Sequence, residues 1–230
     1  MRNLLLILVT FFAFNKSQAA EVTHDNHNGT PIYSSFILQG EHGKLKEKSR
    51  EYLDFKGWIG GDYNKIVLKA ERNALKEESK ASILFSRNIS EFWDAQAGYS
   101  YAKEEENSYL TFGFEGMAVF FLETEMHFFI GKAGMLKAEL KSEVDIFVTQ
   151  QLITVPYVSF EFQSKNDHNS KSGLTSFEAG ILTRYEFHRK FAPYIALRYL
   201  TKTFKTRSFA KEIGENTENY MLSAGLKIKI

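Results

Sequence analysis

The chain has 230 residues, 43% hydrophobic, 15% aromatic and 25% charged, with 29 Lys and Arg against 28 Asp and Glu. That balance excludes a generic nucleic-acid binder, which needs a basic excess. The absence of cysteine excludes a disulfide scaffold, a thiolate metal site and a thiol nucleophile. Beyond the N-terminus no apolar run is long enough for a membrane-spanning helix. Many aromatics beside many charges fit a chain that alternates between lipid and water at every second residue.

Residues 1–20 read MRNLLLILVTFFAFNKSQAA. Arg2 supplies a positive start, Leu4 to Phe14 an apolar centre, and Ser17-Gln18-Ala19 before Ala20 the small-x-small spacing of a signal-peptidase site. Residues 1–20 are therefore expected to be a cleaved signal peptide that exports the chain. Residues 21–31 (EVTHDNHNGTP) are polar and are expected to form a short flexible periplasmic segment.

From residue 32 onward the period is two, and helical periodicity is hard to find. About twelve strands are predicted, at 32–40, 49–59, 64–72, 79–88, 92–102, 107–117, 121–130, 134–148, 152–164, 174–187, 191–204 and 217–230. Within 107–117, Leu110, Phe112 and Phe114 share one face. Within 134–148, Leu140, Val144 and Ile146 alternate with Lys137, Glu139, Lys141, Glu143 and Asp145. The last segment alternates from Tyr220 to Ile230. The connections at 41–48, 73–78, 103–106, 165–173 and 205–216 are polar and mostly long. Those at 60–63, 89–91, 149–151 and 188–190 are tight. Long loops on one side and short turns on the other are the pattern of an outer-membrane barrel.

A soluble barrel would show the same alternation with its faces exchanged. Aromatic apolar faces, charged faces of matched sign and the export leader favour the membrane. The reading is an all-β, antiparallel outer-membrane β-barrel over 32–230, with short periplasmic turns and longer extracellular loops. Trp58, Trp93, Tyr99, Tyr101, Phe120 and Phe121 lie near strand ends, where aromatic girdles form. The closing Lys229-Ile230 lacks the terminal aromatic common in such strands.

Several segments in order carry a resemblance: Gly57 to Glu71 (GWIGGDYNKIVLKAE), Leu84 to Tyr99 (LFSRNISEFWDAQAGY), Phe129-Ile130-Gly131, Thr149 to Ile153 (TQQLI), Gly173-Leu174, Arg184-Tyr185-Glu186 and Phe191-Ala192-Pro193-Tyr194. Together they resemble the copper resistance protein B family of outer-membrane proteins, over about residues 32–230. The resemblance implies a barrel with a role in copper tolerance, copper ions as the metal handled, and a periplasmic multicopper oxidase or copper carrier as partner. Family members often carry a long Met- and His-rich segment ahead of the barrel. Here residues 21–31 hold only His24 and His27 in its place, with no Met.

Alternation turns many ionisable groups inward: Lys69, Glu71, Asp94, Glu115, Glu139, Glu143, Glu161, Glu178, Arg184, Glu186 and Arg198. Such charges must pair or stay wet, so they form either a stiffening network or a cation path. The best metal constellation is Glu123-x-Glu125-x-His127. On a strand these three share a face but stand about 7 Å apart at successive steps, so one ion would need help from Glu139 or Glu143. His24 and His27 offer a Cu(II) site on the tail. Met221 is predicted to face the lumen and Met126 the lipid, and thioether sulfur suits Cu(I). His42 and His168 are placed in extracellular loops and His188 in a periplasmic turn. No serine pairs with His127, so no hydrolase is expected. The expected function is non-enzymatic copper binding or passage by a monomeric barrel. The alternative is a structural or small-solute channel without a dedicated metal site.

Overall fold

The computed structural model describes residues 31–45, 48–73, 78–166, 171–188, 190–212, 214 and 216–230. The expected signal peptide, all but the last residue of the polar segment, and His24, His27 and His168 lie outside the described residues.

The strands are β1 (Tyr33–Leu45), β2 (Lys48–Gly60), β3 (Asn64–Asn73), β4 (Glu78–Ser90), β5 (Trp93–Ala102), β6 (Asn107–Met117), β7 (Glu123–Ile130), β8 (Leu136–Glu143), β9 (Ile146–Phe147), β10 (Leu152–Gln163), β11 (Gly173–Tyr185), β12 (Phe191–Lys202) and β13 (Glu218–Lys229). Helix α1 (Phe204–Glu212) lies between the last two. Each strand pairs antiparallel with its neighbour, and β13 pairs with β1, from Ile37↔Lys229 to Lys44↔Leu222. The short β9 continues the line of β8 along β10. The result is a closed barrel of twelve strands, as the periodicity predicted.

Closure removes the unpaired edges of an open sheet, and period two then sorts the side chains. On β6, Tyr109 and Thr111 are 3% and 1% exposed, whereas Leu110 and Phe112 are each 46% exposed. Ile66, Leu68, Ile83, Phe85, Phe128, Ile130, Ile195, Leu197, Tyr220 and Leu222 continue the exposed apolar skin around the ring. In lipid that skin is the buried surface, and the interior holds the ionised groups.

At one end the turns are tight and greasy. Phe120 and Phe121 take left-handed backbone (φ 61° and 59°), unusual for bulky side chains, and both rings project outward. Phe92 and Phe187 in neighbouring turns, and Phe147 on β9, are exposed at the same end. Tyr99 and Tyr101 also face out, as expected of a girdle. Trp58 does not: it shares the inward register of Asp54 and Lys56, and the Lys65 ammonium lies 5.4 Å over its ring.

Three predicted boundaries are corrected. The loop expected at 41–48 is mostly strand, because β1 runs to Leu45 and β2 begins at Lys48. Glu41 and His42 are therefore in the wall rather than a loop. The single strand expected at 134–148 breaks after Glu143. Val144 N–H donates to the Pro156 carbonyl at 3.2 Å, but proline has no N–H to return the bond, so the ladder lapses there. The segment 205–216, expected as loop, contains most of α1, whose Thr206 and Ala210 are buried.

The interior is not uniformly polar. Ile153, Val155, Leu182, Tyr194 and Ala196 form a buried apolar cluster inside β10, β11 and β12, toward the tight-turn end. Gly180 makes room beside it: a side chain there would collide with the Tyr157 ring. Ahead of it, Arg198 donates Nε to Glu41 Oε1 at 2.7 Å and Nη1 to Glu178 Oε1 at 3.4 Å, and also bonds Tyr157 Oη. This network spans the seam where β13 meets β1, and both charges of its main pair are almost wholly buried. Arg198→Met leaves Glu41 uncompensated, so it should lower the unfolding free energy by about 3–5 kcal/mol. Urea unfolding followed by the fluorescence of Trp58 and Trp93 measures this, and Arg198→Met/Glu41→Met should regain part of the loss.

Candidate functional site: the charged lumen

Inward positions of β2 to β4, β6 to β8 and β10 to β12 surround a cavity of about 140 Å³, room for several waters. Its wall carries Asp54, Glu71, Glu78, Glu125, Glu139, Glu161 and Glu178 against Lys56, Lys69, Lys80, Lys141 and Arg198, with His127 beside them. Toward the tight-turn end its lining on β2, β3 and β7 finishes with Lys56, Lys69 and Glu125, which join Glu115 in a quartet. Lys56 Nζ donates to Glu115 Oε1 at 2.5 Å and to Glu125 Oε1 at 2.7 Å. Lys69 Nζ donates to the other oxygens of the same two carboxylates, at 3.0 and 2.7 Å. The lysines stand on β2 and β3 and the glutamates on β6 and β7, so the quartet bridges the lumen past β4 and β5.

Other pairs line the same wall, some across the lumen and some between near neighbours. Lys80 on β4 bonds Glu139 on β8 and lies 4.7 Å over the Phe129 ring. Lys65 bonds Asp94 at 3.1 Å, and Arg184 bonds Asp145 and Glu186 at 2.5 and 3.2 Å. Lys141 bonds Glu143 at 2.7 Å. Ser176 Oγ donates to Glu161 at 2.6 Å. At the opposite end, in the turn after β5, Glu105 is bonded by Lys137 and Tyr109. Glu104 in that turn accepts from Ser79 N–H at 2.6 Å and Ser79 Oγ at 2.9 Å. Burial pulls its carboxyl upward, but these bonds prevail and hold it below the ordinary glutamate range.

His127 occupies a specific niche. Gly113 is its cross-strand partner, and a Cβ there would lie 2.5 Å from His127 Cδ2, so only glycine admits the ring. Gln96 donates Nε2 to Glu115 at 3.0 Å, and its Oε1 stands 3.0 Å from His127 Nε2. That carbonyl oxygen accepts only, so the imidazole proton sits on Nε2 and the lone pair on Nδ1. The residues of the predicted Glu123-x-Glu125-x-His127 constellation are thus placed separately: Glu123 exposed at the tight-turn end, Glu125 in the quartet, His127 on Gln96. Among the described residues no three His, Asp or Glu side chains gather at metal-ligand spacing. Met221 faces inward as predicted, but it is packed against Leu200 in an apolar pair.

The predicted lumen charges Lys69, Glu71, Asp94, Glu115, Glu139, Glu161, Glu178, Arg184 and Arg198 all stand on the interior register, and Glu143 and Glu186 lie toward the tight-turn mouth. Sequence reasoning did not single out Glu41, Asp54, Lys56 or Lys80. Asp54 and Lys56 share the period-two face of β2, a signal that was present. Gln96→Leu leaves the buried His127 N–H without an acceptor and should lower the unfolding free energy by about 1–3 kcal/mol, measured by urea titration.

With this geometry in hand, comparison with known proteins identifies the chain's relatives. The family model described as "Copper resistance protein B precursor (CopB)" matches residues 34–229. The chain is 33% identical over 220 residues to the copper resistance protein B homolog of Pseudomonas syringae pv. tomato, covering 91% of this chain and 75% of that protein. It is 33% identical over 212 residues to copper resistance protein B of Escherichia coli, covering 89% and 72%. Among solved structures the NanC porin matches with a TM-score of 0.57 at 11% identity, covering 84% of this chain and 100% of that one. The KdgM porin matches at 0.51 and 8% identity, covering 84% and 98%. These likenesses show the fold of outer-membrane porins, and the sequence matches show the family: the chain belongs to the copper resistance protein B family.

Proposed function

We propose that this barrel sits in the outer membrane, exported by a cleaved signal peptide, and binds copper ions or passes them through its lumen. The observation that carries the reading is the cavity wall, where seven carboxylates outnumber five cationic groups. A low-dielectric wall with an excess of one sign concentrates the opposite ion. Asp54 and Glu71 are direct cross-strand partners facing this cavity, as are Glu139 and Glu161. Adjacent like charges repel, so a cation between them relieves each pair. His127, with its Nδ1 lone pair, and the tail residues His24 and His27 are the imidazole candidates, and Met221 the thioether candidate. Copper is cargo in this reading and the mechanism needs no catalysis. The closed ring makes a monomer sufficient, and a periplasmic multicopper oxidase or copper carrier is the partner on the inner side.

A second reading is a structural or small-solute channel without a dedicated metal site. It is favoured by the scattered placement of Glu123, Glu125 and His127.

The readings separate in liposomes. Copper passage predicts that Asp54→Asn/Glu71→Gln slows copper flux while leaving the chloride flux of the same vesicles unchanged. Calorimetric titration with Cu(I) and Cu(II) should show binding that weakens in His127→Ala or in a chain starting at Pro31. No saturable binding and no copper flux would favour the second reading.

A further inference from the structure

The quartet toward the tight-turn end has an unusual electrostatic layout. Lys56 and Lys69 are direct cross-strand partners, and so are Glu115 and Glu125. Each pair sets like charges side by side on one patch of wall, which is unfavourable on its own. The main relief of each is the other pair across the lumen, through four contacts of 2.5 to 3.0 Å, while Gln96 also donates to Glu115 and Lys141 stands beside Glu125 on β8. The residue types also divide by position. The pair at the β12–β13–β1 seam uses Arg198, whose planar fork fixes geometry, and the side chain is almost wholly buried. The quartet uses two lysines, each a point charge on a flexible four-carbon stem, and all four groups keep partial exposure.

We propose that this quartet is the gate of the lumen, and that the Glu115/Glu125 carboxylate pair is the station a passing cation occupies by displacing the two ammonium groups. The inference rests on the reading that ions travel through the lumen, and it deepens that reading by naming where passage is controlled. With the ammonium groups seated, the quartet bridges the lumen and no net charge attracts an ion. When a cation takes the carboxylates, Lys56 and Lys69 swing back to their own strands, where mutual repulsion drives them apart and opens the path. The same arrangement sets selectivity. Removing the lysines leaves a carboxylate pair that admits cations, and removing the glutamates leaves an ammonium pair that admits anions.

The test uses the full mature chain in planar bilayers, reading single-channel conductance in KCl and reversal potential across a KCl gradient, with no copper present. The unaltered barrel should conduct weakly. Lys56→Gln/Lys69→Gln should conduct severalfold more and shift the reversal potential toward cations. Glu115→Gln/Glu125→Gln should also conduct more and shift it toward anions. The fourfold exchange Lys56→Glu/Lys69→Glu/Glu115→Lys/Glu125→Lys should restore weak conduction. If a double variant fails to insert, Lys69→Gln and Glu125→Gln carry the same test, since each leaves one group bridging the opposite pair. Inserted variants with unchanged conductance and reversal potential would overturn the gate. Copper flux in barrels with unchanged KCl behaviour would sink the gate alone. Changed KCl behaviour without copper flux would sink the copper reading alone.

Discussion

The structure depends on one electrostatic constraint: charges turned into a narrow lumen must find their opposites there. The sheet supplies some of them locally, as Lys80 beside Glu71 and Lys141 beside Glu125, but many wall neighbours carry the same sign. Asp54 stands beside Glu71, Lys56 beside Lys69, Glu115 beside Glu125, Glu123 beside Glu143, and Glu139 beside Glu161. Flattened into an open sheet, these neighbours would repel. Curved into a ring, the lysine patch on β2 and β3 meets the glutamate patch on β6 and β7, and Lys80 meets Glu139. These cross-lumen pairs thus add to the closed ring a set of contacts that the open sheet cannot make.

The outer face obeys the complementary rule. Backbone groups are consumed by the closed ladder, so side chains alone decide what the wall touches, and alternation gives them to hydrocarbon. Interior crowding is managed by glycine where a large inward group needs room, as Gly113 does for His127 and Gly180 for Tyr157. The apolar cluster of Ile153, Val155, Leu182, Tyr194 and Ala196 fills the tight-turn half beside β10 to β12 and narrows the space that any ion can use. The lumen thereby divides into a dry flank and a charged flank, and the quartet lies on the charged one.

Strand number and facing were legible because period two is unbroken in segments such as Tyr220 to Ile230 and Leu136 to Glu143. The cross-lumen partners were not. Lys69 and Glu115 lie 46 residues apart, and nothing local says which strands will face each other once the ring closes. Glu41 was hidden because EHGKLKEK reads as a loop, although its carboxylate is tied to Arg198 through a contact 157 residues away. The apolar cluster was hidden for a different reason. From Leu152 to Val158, β10 is largely apolar on both faces, so alternation there cannot tell lumen from lipid. Helix α1 escaped because its residues are mainly polar and it buries only Thr206 and Ala210.

The assignment of sides is what everything else requires, and the absence of native cysteine makes it directly measurable. Single cysteines placed from Leu136 to Glu143 can carry nitroxide labels in the reconstituted barrel. Collision rates with oxygen, which dissolves in lipid, should be high at 136, 138, 140 and 142 and low at 137, 139, 141 and 143. The reverse phase, or no alternation along the strand, would contradict a barrel with lipid outside and ionised groups within.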